Sequence, residues 1–189
     1  MIGIIDYGLG NITAFANIYK QINTEIIIVK NVNDLTKINK IILPGVGSFD
    51  WAIESLNRSG FRDALEKCVI FEKKPILGVC VGMQIMAESS EEGKEKGLSW
   101  IRGSIKKFTN NNSSEYYPLP HMGWNQVNFK QSSIAKGIDN SSFYFLHSYY
   151  FESDDEKNIL ATSIYSKKFT SAISKNNIYG VQFHPEKSH

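Results

Sequence analysis

Pro75-Ile76-Leu77-Gly78-Val79-Cys80-Val81-Gly82-Met83-Gln84 is the stretch from which the fold is read. Its apolar start, 75–79, reads as a buried strand. The strand runs into Gly-x-Cys-x-Gly, and a helix is expected over 81–89. This is the cysteine form of a nucleophile elbow, a strand-to-helix turn so sharp that the residues two before and two after its tip must be small. Gly78 and Gly82 meet that demand. The turn holds the sulfur above the sheet edge and at a helix N-terminus, where the dipole and free N–H groups favour a thiolate. The N–H of Val81 would point to the same spot, as a donor to an oxyanion. Cys68 lies in Leu65-Glu66-Lys67-Cys68-Val69-Ile70 with no flanking glycine, and reads as a core thiol.

Working outward, strand and helix signals alternate through the first half. Residues 2–6 form an apolar run ending in Gly8-Leu9-Gly10-Asn11, and Ile12, Phe15, Ala16 and Tyr19 then share a helical face. Residues 25–29 and 40–43 read as further strands, the second stopped by Pro44-Gly45. Helices are expected over 48–58 and 61–72, with Gly60 as the break. This alternation predicts an α/β fold with a parallel sheet covered by helices on both faces. The second half changes character. Residues 90–97 and Asn110-Asn111-Asn112-Ser113-Ser114 read as loops, and short β-rich runs follow at 126–129, 143–146, 160–165, 171–174 and 178–183. These are expected to add mixed or antiparallel strands to the same sheet. No repeat or linker divides the chain, so one domain spanning 1–189 is expected.

Composition narrows the function. Twenty-one Lys and Arg against 19 Asp and Glu leave a charge of +2, which argues against a nucleic-acid binder with a broad basic surface. No apolar run reaches a membrane-spanning length, and the start lacks a cationic leader. Two cysteines are too few for a disulfide scaffold and suit a reducing compartment, so a cytoplasmic location is expected.

A cysteine nucleophile needs a base, and the base needs an orienting group. His184 sits in Gln182-Phe183-His184-Pro185-Glu186, directly after a strand signal. Pro185 biases His184 toward extended backbone, where residues two apart share a side. His184 and Glu186 are therefore expected side by side, the carboxylate fixing the tautomer of a base for Cys80. His121 and His147 lack a carboxylate at i+2 and are weaker candidates; His189 reads as solvated. With no Cys-x-x-Cys and no His-x-x-x-His, no metal site is expected. Pro44-Gly45-Val46-Gly47-Ser48-Phe49 is a glycine loop between strand and helix, fit either for phosphate or for a second oxyanion donor at Val46 or Gly47. It lacks the Gly-Lys-Ser/Thr of a Walker loop, and Gly8-Leu9-Gly10-Asn11-Ile12-Thr13 has Thr13 where a dinucleotide fingerprint needs glycine.

Taken together, these motifs resemble the class I (triad) glutamine amidotransferase family. Within it they are most similar to the glutaminase subunits that serve imidazole glycerol phosphate synthase, through Pro120-His121-Met122-Gly123-Trp124-Asn125, Phe145-Leu146-His147-Ser148-Tyr149-Tyr150 and His184-Pro185-Glu186-Lys187-Ser188. The resemblance implies a three-layer, flavodoxin-like sandwich with a mostly parallel sheet and added antiparallel strands. It implies no cofactor, with Cys80, His184 and Glu186 releasing ammonia from L-glutamine and Val46 or Gly47 with Val81 as oxyanion donors. Gln84, Ser148 and Tyr149 match positions lining the substrate pocket. Asn11, Trp124, Asn125 and Lys187 match positions that dock a (β/α)8-barrel cyclase in a heterodimer, although Trp124 also suits a core. Basal activity is expected to be low and raised by the partner. Members of the family continue past this last motif into a C-terminal helix, which the expected 1–189 domain lacks. The motifs leave two other roles open: a paralogue supplying ammonia for amidation of a surface-polysaccharide sugar, and a cysteine peptidase-like hydrolase.

Overall fold

The structure, a computed structural model, describes residues 1–109, 116–138 and 141–188. The expected loop at 110–114 and His189 lie outside them. Thirteen strands are present among the described residues. The first four are β1 (Ile2–Ile5), β2 (Ile26–Val29), β3 (Lys40–Gly45) and β4 (Ile76–Cys80). Then come β5 (Ser89–Ser90), β6 (Gly103–Lys107), β7 (His121–Gln126), β8 (Asn128–Phe129) and β9 (Ser142–His147). The last are β10 (Tyr149–Ser153), β11 (Ile159–Tyr165), β12 (Lys167–Lys175) and β13 (Ile178–Val181). The helices are α1 (Ile12–Gln21), α2 (Phe49–Arg58), α3 (Phe61–Glu66) and α4 (Val81–Gln84).

The heart of the sheet is β2-β1-β3-β4-β13, with every neighbouring pair parallel. With β13 counted as fifth, this is the 2-1-3-4-5 order of flavodoxin-like folds. Strands buried on both faces read as continuous apolar runs, which is why Ile4, Ile5, Ile41–Leu43, Ile76 and Val79 stand together in the core. Beyond β13 the direction changes: β12, β10 and β6 continue antiparallel, β11 pairs with β12, and β8 with β11. The fold is thus mixed α/β, a parallel sheet with added antiparallel strands. Capping explains two helix starts. Asn11 accepts the Ala14 N–H at 3.3 Å and Ser48 accepts the Trp51 N–H at 3.4 Å, each relieving an orphan donor of the first turn.

Three expectations are corrected. The helix after the elbow stops at Gln84 instead of running to 89. The carbonyls of Ile85, Met86 and Ala87 are taken by the N–H groups of Leu98, Trp100 and Ser99, so long-range bonds replace the next helical turn. Strand β3 continues through Pro44-Gly45, paired with Val79 and Cys80, because proline loses a donor only and its carbonyl still accepts the Tyr7 hydroxyl at 2.8 Å. Finally, β7 and β9 are not part of the main sheet. They pair with each other, from His121↔His147 to Gln126↔Ser142. Their inner aromatic groups, His121 and Phe145, lie against Phe169 of β12, so the pair packs on the sheet by side chains and not by ladder hydrogen bonds.

Candidate active site

The carboxyl ends of β3, β4 and β13, and the turn between β9 and β10, converge on a cleft of about 310 Å³. Ligand crevices in doubly wound sheets form at this end of the strands. Cys80, Val46, Gly47, Val81, Gln84, Ser148, Tyr149, His184 and Lys187 of the expected set all line it.

Cys80 closes β4 at φ +55° and ψ −115°, a conformation rare for a residue with a side chain. Such a backbone costs roughly 1–3 kcal/mol and persists only where its surroundings impose it. Here they do. A Cβ on Gly82 would meet the Leu43 carbonyl oxygen, and one on Gly78 would meet the Gly82 carbonyl and the Met86 methyl. The sequence rule for small neighbours therefore has a concrete cause: α4 leaves the elbow pressed against the backbone of β3. Cys80 is 5% exposed, so its sulfur is reached through the cleft.

His184 follows β13 in extended conformation, its N–H donating to the Tyr144 carbonyl at 2.8 Å. Its Nδ1 lies 2.8 Å from Glu186 Oε1, with both side chains buried. The pairing was expected from an extended chain, but Pro185–Lys187 form a 3-10 turn. The carboxylate reaches the ring by the chain curling back, helped by the Ser188 hydroxyl, which donates to the His184 carbonyl and accepts the Tyr144 N–H. Burial resists a charge on His184. Hydrogen bonds to the Cys80 thiol and to Glu186, with their negative charges, outweigh it and push the ring up to about 9. The other carboxylate oxygen, Oε2, is buried with no hydrogen-bond partner among the described residues, so the carboxylate makes its hydrogen bond through Oε1, to His184. Tyr7, raised by burial and by the nearby Cys80, remains a neutral donor to Pro44.

Two groups at the site escaped the sequence reading, one buried behind the cleft and one lining it. Gln182, fully buried, aims Nε2 at the Cys80 sulfur at 3.8 Å and accepts from Gln84 Nε2 at 3.0 Å. Its signal was present: in Gln182-Phe183-His184 alternation puts 182 and 184 on one side. Glu92 lies in the stretch read merely as a loop. Its Oε2 accepts the Phe49 N–H at the start of α2 at 2.8 Å, and it lines the cleft. No local pattern marks it.

The expected docking residues divide. Trp124 is 54% exposed, which removes its core reading, and its ring meets Tyr144 edge-on. The Lys187 ammonium lies over the same Tyr144, and α1, capped by Asn11, packs against the 185–187 turn. Asn125 is half-buried and donates to the Ile164 carbonyl at 2.9 Å. Cys68 is buried beside Lys74, away from the cleft. Among the described residues no three His, Cys, Asp or Glu side chains are spaced to hold a metal, and no helix is long and apolar enough to cross a membrane.

Residues 3–189 match the family model "Glutamine amidotransferase class-I". Curated relatives include the "Imidazole glycerol phosphate synthase subunit HisH" of Leptospira borgpetersenii, 53% identical over 100% of this chain and 94% of its own length. The subunit of the same name from Bdellovibrio bacteriovorus is 48% identical over the same shares. Among solved structures, "Crystal structure of glutamine amidotransferase" superposes with a TM-score of 0.75 at 17% identity, covering 98% of this chain and 90% of that one. The "Structure of PurLQS from Thermotoga maritima" gives 0.71 at 18%, covering 98% and 87%. At these identities the structures are alike in fold.

Proposed function

The chain belongs to the class I glutamine amidotransferases, and on that premise we propose that it is the glutaminase subunit of an imidazole glycerol phosphate synthase, in histidine biosynthesis. It hydrolyses L-glutamine to L-glutamate and passes ammonia to a separate (β/α)8-barrel cyclase subunit. What supports the reading is one arrangement: a strained cysteine elbow that shares a cleft with a histidine, which is itself held by a buried carboxylate. Full-length likeness to the HisH subunits supplies the acceptor pathway.

In this reading the Cys80 thiolate attacks the side-chain amide carbon of glutamine, and the C=O pair moves onto oxygen. The N–H of Val81, with an N–H of Val46 or Gly47, receives that oxyanion; one such donor is typically worth about 3–4 kcal/mol of barrier. His184 gives its proton to the nitrogen as the C–N bond breaks, so ammonia leaves and a thioester to Cys80 remains. Water then attacks the thioester, His184 taking one of its protons, and the C–S bond breaks to return the thiolate and release glutamate. Glu186 keeps the imidazolium favourable throughout. Glu92 gives the cleft a carboxylate, a partner for the ammonium group of a zwitterionic amino acid. Ser148 and Tyr149 complete the wall. Asn11, Trp124 and Lys187 meet the cyclase.

The test is glutamate release from glutamine with the cyclase subunit present. Release by the complex, abolished in Cys80→Ala, is expected. Undiminished release by Cys80→Ala, or none from the unaltered complex, overturns the proposal.

A further inference from the structure

Two buried histidines take no part in the chemistry above, yet they are bonded to each other. His121 Nδ1 and His147 Nε2 are 2.9 Å apart. His147 Nδ1 is 2.7 Å from the Tyr149 carbonyl, and His121 Nε2 is 3.2 Å from Asn125 Nδ2. The amide of Asn125 also donates to Ile164 on β11. The two carbonyls at the ends settle every proton between them. A carbonyl only accepts, so His147 carries its proton on Nδ1 and its Nε2 accepts. His121 must then donate from Nδ1, and its Nε2 accepts from Asn125. Both rings are neutral and in the same tautomer, with each nitrogen used.

The surroundings enforce that state. His121 is stacked between Phe145 and Tyr165, at 4.9 and 4.1 Å. His147 meets Phe108, Phe145 and Phe169. The titratable groups that press on His147 are His121 and the cationic His184, and both oppose a charge there. Burial is the larger cause, holding His147 at about 3 and His121 at about 4. The chain also does not end at Tyr149. The same carbonyl accepts Gln84 Nε2 at 3.2 Å, Gln84 holds Gln182, and Gln182 reaches the Cys80 sulfur. An unbroken hydrogen-bonded line thus runs from Ile164 to the nucleophile, with the Tyr149 carbonyl at its midpoint.

We propose that His121 and His147 are positioning residues that hold the Ser148–Tyr149 wall of the glutamine cleft, by anchoring the Tyr149 carbonyl through Asn125 to β11. This rests on the glutaminase reading. Tyr149 opens β10 opposite Lys107 and the Ser148 carbonyl accepts the Phe108 N–H, but the Tyr149 carbonyl itself is held by the side chains of His147 and Gln84, so a side-chain anchor decides where that carbonyl lies. Losing it loosens the substrate. It disturbs the thiol less, because Gln84 stays tied to Gln182. The effect therefore falls on KM more than on kcat.

The experiment measures glutamate release by the complete complex over a range of glutamine concentrations, for the unaltered chain, His121→Phe, His147→Leu and His147→Asn. His121→Phe keeps the stacking and removes both ring hydrogen bonds. His147→Asn keeps an amide N–H near Nδ1. One buried hydrogen bond corresponds to about 3–10-fold, so KM should rise about 10-fold in His147→Leu and about 3–5-fold in His121→Phe, with kcat within about 3-fold. His147→Asn should regain at least half of the loss on a logarithmic scale. A His147→Leu chain that does not fold leaves His121→Phe to decide: KM within about 2-fold of the unaltered value overturns the proposal. So does a His147→Asn chain no better than His147→Leu. An unaltered complex with no glutamine hydrolysis would instead overturn the glutaminase reading.

Discussion

Glu186→Gln changes one charge at nearly constant shape, and the structure sets its cost. The carboxylate oxygen is 2.8 Å from His184 Nδ1, in a pair almost closed to solvent. Unit charges about 4 Å apart attract by about 4 kcal/mol at an effective dielectric constant of 20. That attraction holds against burial, which by itself would lower the His184 pKa; the balance, shared with Cys80, lies at about 9. With an amide in place, the ring loses most of its preference for the charged form. The amide can also present N–H to Nδ1 and turn the imidazole to the wrong tautomer, a change worth up to about 10⁴-fold in a serine triad. Glutamate release at saturating glutamine should therefore fall about 10²–10⁴-fold. KM should change little, because Glu186 does not line the cleft. Saturated turnover within about 5-fold of the unaltered complex would refute the reasoning.

Three further outcomes are expected. Gly82→Ala places a methyl against the Leu43 carbonyl, and backbone there cannot move aside cheaply; overpacking of this kind costs about 1–3 kcal/mol, so Tm should fall about 2–12 °C, and a shift under 1 °C would contradict the elbow packing. Glu92→Gln removes the cleft's carboxylate while keeping an acceptor for the Phe49 N–H; a hydrogen bond to a charge is worth about 1.5–3 kcal/mol, so KM for glutamine should rise about 10–100-fold, and an unchanged KM would remove Glu92 from substrate binding. Stability should be dome-shaped in pH. His121 and His147 are held below the unfolded value of 6.5, at about 4 and 3, so their contribution is present above 6.5 and lost as pH falls toward those values. His184 is raised to about 9, so its contribution is present below 6.5 and lost as pH climbs through 9. Urea midpoints at pH 5, 7 and 9.5 that do not peak near 7 would contradict this.

By itself the sequence determined what short-range geometry dictates. Gly78-Val79-Cys80-Val81-Gly82 read as a cysteine at a tight strand-to-helix turn from its paired glycines, and the structure supplies the cause, since a Cβ two positions either side collides with backbone. The apolar runs set the parallel strands, since burial on both faces leaves no room for alternation. His184 and Glu186 were legible as a pair, although the 3-10 turn that joins them was not. Tertiary structure alone decided the rest. The helix after the elbow ends early because a segment a dozen residues on takes its carbonyls. β7 and β9 leave the sheet because their aromatic faces find Phe169 across a layer. Glu92, and the pairing of His121 with His147, have no local signature: the partners are far apart in the chain, and only packing sets which buried polar groups must satisfy one another.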